Sequence, residues 1–308
     1  MEILSFSKKI NMTIVRSLVL IPILTFCFVS SFKLVEQLDL NKETDMEDLD
    51  HYLENYFTED KPFALLLDYD GTLAPIAPNP NLTYMTDYTT EALVNISSNP
   101  NVLLAIISGR GVDDVKRKVN IPNVIYGGNH GLEILYPNGT RYIHEIPDDA
   151  KENFKQIVAE LENICRKGAW VENKKFSLTF HYRAVPDDEH DIIRDEARKI
   201  IESHGYAANQ AHCAIEAKPP VVWHKGKAAD YILSYQYGPN WRNEIHAVFA
   251  GDDTTDEDIF ELLKGMGVTF RVTKDPNIET KALYKLPSTE AVTKVLQWLD
   301  NKFCRSCK

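Results

Sequence analysis

The stretch Leu65-Leu66-Leu67-Asp68-Tyr69-Asp70-Gly71-Thr72 decides the fold. An apolar run of strand length ends in two carboxylates one residue apart, with a glycine and a threonine directly after them. Such a run marks a strand buried on both faces, and the end of that strand is where open α/β sheets place their ligands. Two aspartates there must be held apart by a positive charge, or one of them must stay protonated. A bound Mg2+ is the usual hard, oxygen-seeking solution. Metal, phosphate and a carboxylate nucleophile are therefore the first expectation.

Working outward, the same pattern recurs. Val102 to Ile107 is a second apolar run, ending in Ser108-Gly109-Arg110-Gly111, and Val124 to Tyr126 is a third strand before Gly127-Gly128-Asn129-His130-Gly131. Helices are predicted between them, over Thr86 to Ser98 and Val112 to Val119, the latter with Asp113 and Asp114 in its first turn. Strand and helix in alternation predict an α/β, doubly wound parallel sheet of Rossmann-like type. After Gly131 the pattern changes. A hairpin is expected around Pro137-Asn138-Gly139-Thr140, then a helix from Asp148 to Arg166 and strands over Ala169 to Glu172 and Ser177 to Arg183. A helix from Asp187 to His204 and a strand near Cys213 to Ala217 complete the insert. The buried pattern returns at Ala247 to Asp253 and at Val268 to Val272. The expected organisation is a discontinuous core over 61–132 and 222–302, interrupted by an inserted α+β cap domain over 133–221. An acidic linker with a short helix is expected over 32–60, and a tail over 303–308.

The N-terminus is different in kind. Lys8, Lys9 and Arg16 precede an apolar run from Ser17 to Val29, short for a membrane span, with small residues before Phe32. Residues 1–31 read as a signal peptide, or as an uncleaved signal anchor. The expected location is the secretory pathway or the extracellular space, with the cytoplasm as the alternative if translation starts later, for example at Met46. Without that segment four cysteines remain: Cys165, Cys213, Cys304 and Cys307. Four cysteines allow three pairings, and the terminal Cys304–Cys307 pair suits a disulfide or free thiols better than zinc. Asn81, Asn95 and Asn138 open glycosylation sequons. The net charge of −11 over 308 residues, with no basic stripe, argues against nucleic acid. No membrane contact beyond the N-terminal segment is expected, and the partner is a small-molecule substrate of a monomer.

The residues suggest roles. Asp68 can accept a phosphoryl group, splitting one hard displacement into two easier ones. Asp70 is placed to protonate the leaving oxygen and then to deprotonate water; the plain alternative is an Asp-Gly turn. Gly251-Asp252-Asp253-Thr254-Thr255-Asp256-Glu257-Asp258 is a second acidic strand end that can converge with Asp68 and Asp70 on one metal ion. Asp252 is the first choice of ligand there, and Asp253 and Asp256 are candidates to assist directly or through water. Glu257 and Asp258 read as an ordinary acidic helix start. Ser108 could hold a phosphoryl oxygen, or simply cap a helix. Lys225 opens a helix and could neutralise phosphate and nucleophile together, with Lys227 as its rival.

In this order, Asp68-x-Asp70-Gly71-Thr72, Ser108, Lys225 and Gly251-Asp252-Asp253 resemble the four motifs of the haloacid dehalogenase phosphatase superfamily. The resemblance runs from about Phe63 to Trp298. Finer features are similar to the trehalose-6-phosphate phosphatase family: Asp70-Gly71-Thr72-Leu73-Ala74-Pro75-Ile76, Ile107-Ser108-Gly109-Arg110, Gly128-Asn129-His130-Gly131-Leu132-Glu133, Val171-Glu172-Asn173-Lys174-Lys175 and Thr179-Phe180-His181-Tyr182-Arg183. The resemblance implies Mg2+-dependent hydrolysis of trehalose 6-phosphate, and a mobile cap that carries sugar recognition. It implies Arg110, Asn129, His130, Glu133, Glu172, Lys175, Arg183, Glu216 and Lys218 as substrate contacts, while His181 and Tyr182 read as strand packing. Two residues depart from the family pattern: Lys218 stands where arginine is usual, and His224 where asparagine is common. The alternatives are a phosphatase of another sugar phosphate and a non-catalytic sugar-phosphate-binding module. No glycosyltransferase domain fits in this length, so the chain is not expected to make its own substrate.

Overall fold

The computed structural model describes residues 36–37, 43–58, 60–211 and 213–303. The leader expected over residues 1–31 and the Cys304–Cys307 pair lie outside the described residues. Cys165 and Cys213 are free thiols. Among the described residues no helix is long and apolar enough to cross a membrane.

The chain runs through β1 (Glu36–Gln37), α1 (Glu43–Tyr56), β2 (Phe63–Leu67), α2 (Asp87–Ser97), β3 (Val102–Ile107), α3 (Val112–Val119), β4 (Val124–Gly128) and the hairpin β5 (Glu133–Leu135) and β6 (Arg141–Ile143). The insert follows as α4 (Asp148–Ile164), β7 (Trp170–Asn173), β8 (Leu178–His181), α5 (His190–Ser203), β9 (Ala207–Ala211) and β10 (Ala214–Lys218). The chain then returns through α6 (Lys225–Tyr237), α7 (Trp241–Glu244), β11 (His246–Gly251), α8 (Glu257–Leu262), β12 (Val268–Val272), β13 (Tyr284–Leu286) and α9 (Thr289–Phe303).

Among the described residues the large sheet has the order β1-β13-β12-β11-β2-β3-β4-β5-β6. It is parallel from β1 to β4 and antiparallel at β5 and β6. Its central strands are covered on both faces, which is why they read as unbroken apolar runs. Successive residues point to opposite faces. Phe63, Leu65 and Leu67 of β2 therefore pack with α1, α2, α3 and α9, whereas Ala64 and Leu66 pack with α6, α7 and α8. The insert has a separate core, in which α4 and α5 cover one face of the four-stranded sheet β7-β8-β10-β9 through Phe154, Ile157, Leu161, Ile193 and Ile201.

The α/β architecture with an inserted α+β cap is as the sequence predicts, with two corrections. The hairpin expected to open the cap at residue 133 extends the large sheet instead: Gly127 of β4 pairs with Ile134. Its strands bury Ile134 and Leu135 in the core, so the separate cap packing begins at α4. Within the stretch expected to be an acidic linker with a short helix over 32–60, the described residues include the strand β1 and the 14-residue helix α1, which is docked on the core. Leu49 and Leu53 of α1, four residues apart, are buried, and the Trp298 indole of α9 donates to Asp50. The acidic residues of α1 mask an apolar stripe. Strands β9 and β13 and helix α9 were not anticipated.

Candidate active site

The site is assembled at the C-terminal ends of the parallel strands. Beyond β2, Asp68 continues the ladder, its backbone N–H donating to the Ala250 carbonyl of β11 at 3.0 Å. This registers the end of β2 against the end of β11, so that Asp68 and the acidic segment after Gly251 meet. Carboxylate oxygens of Asp68, Asp252 and Asp256 lie within 4.8 Å of one another. Lys225, the first residue of α6, reaches into the same place. Its Nζ lies 2.8 Å from Asp68 Oδ1 and 2.8 Å from Asp256 Oδ1, fully buried with both partners. Lys227 points away and donates to the Val222 carbonyl.

Gly71 makes this convergence possible. It turns with φ +76°, and a Cβ there would collide with the Asp252 carboxylate. Three carboxylates face one ammonium. Burial raises the Asp68 carboxyl above its ordinary value; Lys225 opposes this, while Asp256 and Asp70 add to it. Burial, then Asp68 and Asp256, raise Asp252 as well. Burial works against the Lys225 ammonium, but Asp256 and Asp68 outweigh it and hold the lysine charged. The uncompensated negative charge and the set of hard oxygen donors fit a divalent cation. Asp68 and Asp252 have oxygens to offer. Asp256 offers less, since its Oδ1 meets Lys225 and its Oδ2 accepts from the Asp253 N–H.

Two expected metal ligands stand outside this cluster. Asp253 turns its carboxylate back to the Thr254 N–H and hydroxyl, capping the following turn. Asp70 is gripped in a two-pronged pair by Arg110, Nε to Oδ2 at 2.6 Å and Nη2 to Oδ1 at 2.7 Å. Arg110 also donates to Asp114, the Thr83 hydroxyl and the Pro80 carbonyl. It borders the cleft, but its guanidinium is spent on holding Asp70 rather than offered to a ligand. Burial opposes its charge, and Asp70 and Asp114 outweigh burial. Ser108 is buried at the end of β3, with its Oγ accepting the Arg110 N–H.

Above these groups a cleft of about 790 Å³ opens between the large sheet and the cap. The cap contributes one face of its sheet, since Leu178, Phe180, Ile215 and Ala217 are turned into the cap core. Alternate residues therefore face the cleft: Glu172, Thr179, His181, Glu216 and Lys218, with Asn209 and Gln210 of β9, Lys174 and Arg183 beside them. His130 Nε2 meets Glu216 Oε1 at 2.9 Å across the gap from core to cap. Burial favours the neutral imidazole there. At Glu216 burial pushes upward, but His130, Lys174 and Lys218 outweigh it and keep the carboxyl well below its usual value. Burial likewise opposes Glu172, which a 2.8 Å hydrogen bond with His181 and the Lys174 charge hold ionised.

Of the substrate contacts expected from sequence, His130, Glu172, Arg183, Glu216 and Lys218 line the cleft together with Arg110. Asn129, Glu133 and Lys175 do not. The Asn129 amide donates to the Lys174 carbonyl and accepts from Ser177, and Glu133 is buried against Arg141 and Lys175. His181 corrects the expectation of strand packing, because it faces the cleft and stacks on Trp170; Tyr182, its neighbour, is buried in the cap core. Lys174, Thr179 and Asn209 were missed. The alternation of β8 could have found Thr179 and His181 once Leu178 and Phe180 were read as buried. His224 faces Asp258 at 3.2 Å.

A family model described as trehalose-phosphatase matches residues 66–290. The chain is 31% identical over 261 residues to trehalose 6-phosphate phosphatase RA3 of Zea mays, covering 79% of this chain and 71% of that protein. It is 31% identical over 253 residues to trehalose-phosphate phosphatase B of Arabidopsis thaliana, covering 78% and 66%. Among solved structures, the C-terminal domain of trehalose-6-phosphate phosphatase from C. albicans superposes with a TM-score of 0.68 at 23% identity, over 82% of this chain and 97% of that one. A haloacid dehalogenase-like hydrolase from Bacteroides thetaiotaomicron superposes with a TM-score of 0.54 at 16% identity, over 78% and 100%; at these identities the two structures speak for the fold.

Proposed function

Because the chain belongs to the trehalose-phosphatase family, we propose that it hydrolyses trehalose 6-phosphate to trehalose and phosphate in two steps through an aspartyl-phosphate on Asp68. The observation that carries this reading is the buried Asp68–Lys225–Asp256 arrangement, with Asp252 beside it, on the floor of a cleft roofed by polar cap residues.

In the first step an Asp68 carboxylate oxygen attacks phosphorus, and the bond from phosphorus to the sugar oxygen breaks. Asp70 delivers the proton that the leaving oxygen takes up. Lys225 holds the nucleophile in place and offers positive charge where the transferring oxygens gather charge. In the second step Asp70 takes a proton from water as that water attacks phosphorus, releasing phosphate and restoring Asp68. Arg110 holds the ionised Asp70 through two parallel hydrogen bonds; to act as the acid, Asp70 takes up a proton and gives up one of these bonds to the leaving oxygen. A divalent cation, Mg2+ by the hardness of the donors, would be held by Asp68 and Asp252 with Asp256 in support, and would neutralise charge on the phosphoryl oxygens. The cap face supplies hydroxyl, amide and charged groups in the mixture that a disaccharide needs, and Arg183 and Lys218 add positive charge at the cleft.

The test is phosphate release from trehalose 6-phosphate against a panel of sucrose and mannosyl phosphates, with and without Mg2+. Asp68→Asn should lower turnover by at least about a thousandfold while keeping the melting temperature. Substantial activity in that variant would sink the assignment of the nucleophile; equal rates across the panel would sink the assignment of the sugar.

We further propose that residues 1–31 direct the chain into the secretory pathway, on the basic region and short apolar run alone, and that the enzyme works as a monomer. Sequencing the mature N-terminus and measuring the mass in solution test these two points.

A further inference from the structure

We propose that Asn129 is a positioning residue: the latch that ties the cap to the phosphate end of the large sheet and sets Lys174 in the cleft. This rests on reading the cleft as the seat of a sugar phosphate that spans core and cap.

The segment after β4 is stitched to both sides. On the core side the Asn129 N–H donates to the Arg110 carbonyl at 2.7 Å, and the His130 N–H to the Ser108 carbonyl at 2.9 Å. These bonds fix it to the loop that carries Ser108 and the clamp on Asp70. On the cap side Asn129 Nδ2 donates to the Lys174 carbonyl at 3.0 Å, and Oδ1 accepts from the Ser177 hydroxyl at 2.7 Å. Asn129 and Ser177 are both fully buried. Asn129 holds φ at +51°, a left-handed conformation that asparagine tolerates better than most residues. A few residues on, buried Glu133 meets Lys175 at 3.2 Å. The tip of the β7–β8 hairpin, residues 174–177, is thus gripped by the core along its backbone and at two side chains.

The consequence falls on Lys174. Its carbonyl is held by Asn129, and its side chain enters the cleft, with Nζ 3.7 Å from Glu216. Removing the Asn129 amide leaves the Lys174 carbonyl and the Ser177 hydroxyl buried without these partners, an arrangement that favours withdrawal of the hairpin into water. A substrate that bridges core and cap loses by that withdrawal. A small ester that touches only the core does not.

The experiment compares trehalose 6-phosphate with para-nitrophenyl phosphate in full-length protein. Asn129→Gly keeps the left-handed backbone and removes the amide. It should lower kcat/KM on trehalose 6-phosphate by about tenfold or more, mainly through KM, and leave the aryl ester within about twofold. Ser177→Ala, which sits in the cap, should act in the same direction more weakly, and the double variant should be no worse than Asn129→Gly, because both act through one contact. Equal losses on the two substrates would overturn the latch, as would no loss on either. If Asn129→Gly fails to fold, Ser177→Ala decides by the same substrate split. A wild-type enzyme inactive on trehalose 6-phosphate would overturn the functional reading itself.

Discussion

Gly71 shapes the catalytic arrangement without a side chain. Its positive φ lets the chain turn between Asp70 and Thr72, and the space where a Cβ would stand is filled by the Asp252 carboxylate. Gly71→Ala should cost about 1–2 kcal/mol from the backbone alone. It should also weaken divalent-metal binding, because Asp252 must move; a metal titration followed by thermal melting checks both. Metal affinity unchanged beside a lowered melting temperature would show that Asp252 is not a ligand. At this scale the meeting of Asp68, Ser108, Lys225 and Asp252 at one cleft was legible, because each sits at a strand end or helix start. That Asn129, Glu133 and Lys175 meet groups of their own chain was not legible, because in a single sequence a polar residue facing substrate looks like one facing its own cap. That both Asp70 carboxylate oxygens accept from Arg110 was not legible, because Arg110 lies forty positions away.

Among the elements, α1 is the instructive one. Its exposed face is acidic, and the reading as a linker followed from that charge. Its other face places Leu49, Tyr52, Leu53 and Tyr56 at helical spacing against the sheet, and the Tyr56 hydroxyl donates to the Met266 carbonyl at 2.9 Å. Leu53→Ala should therefore destabilise the core by about 2–5 kcal/mol, as expected for a large-to-small change in a packed interior. Denaturant unfolding measures this, and a loss under about 0.5 kcal/mol would mean that α1 is a surface appendage. The central strands β2, β3 and β11 were legible because burial on both faces leaves no polar alternation to confuse with a helix. The β5–β6 hairpin was legible as a hairpin, but its partner was not. A turn motif fixes which two strands pair with each other and says nothing about the third strand they join.

For the whole molecule, the governing quantity is the charge collected at one end of the large sheet. The Asp68 and Asp252 carboxyls are raised above their ordinary values, chiefly by burial. A raised carboxyl contributes stability that is fully present below its unfolded value and is lost as pH rises through its folded value. The metal-free enzyme should therefore weaken from mildly acidic to mildly alkaline conditions, and a cation that takes the place of the protons should restore it. The rise in melting temperature on adding Mg2+ should be larger at about pH 8 than at about pH 5. An equal rise at both would mean that the cation binds without displacing protons. The cap, by contrast, keeps its own apolar interior in α4, α5 and their sheet. For an engineer this makes the molecule a chassis with an exchangeable tool: a foreign insert could be grafted between β6 and α6 to retarget the chemistry. The graft would need the grip as well as the tool, a hairpin tip that offers Asn129 a carbonyl and a hydroxyl, and a carboxylate for His130.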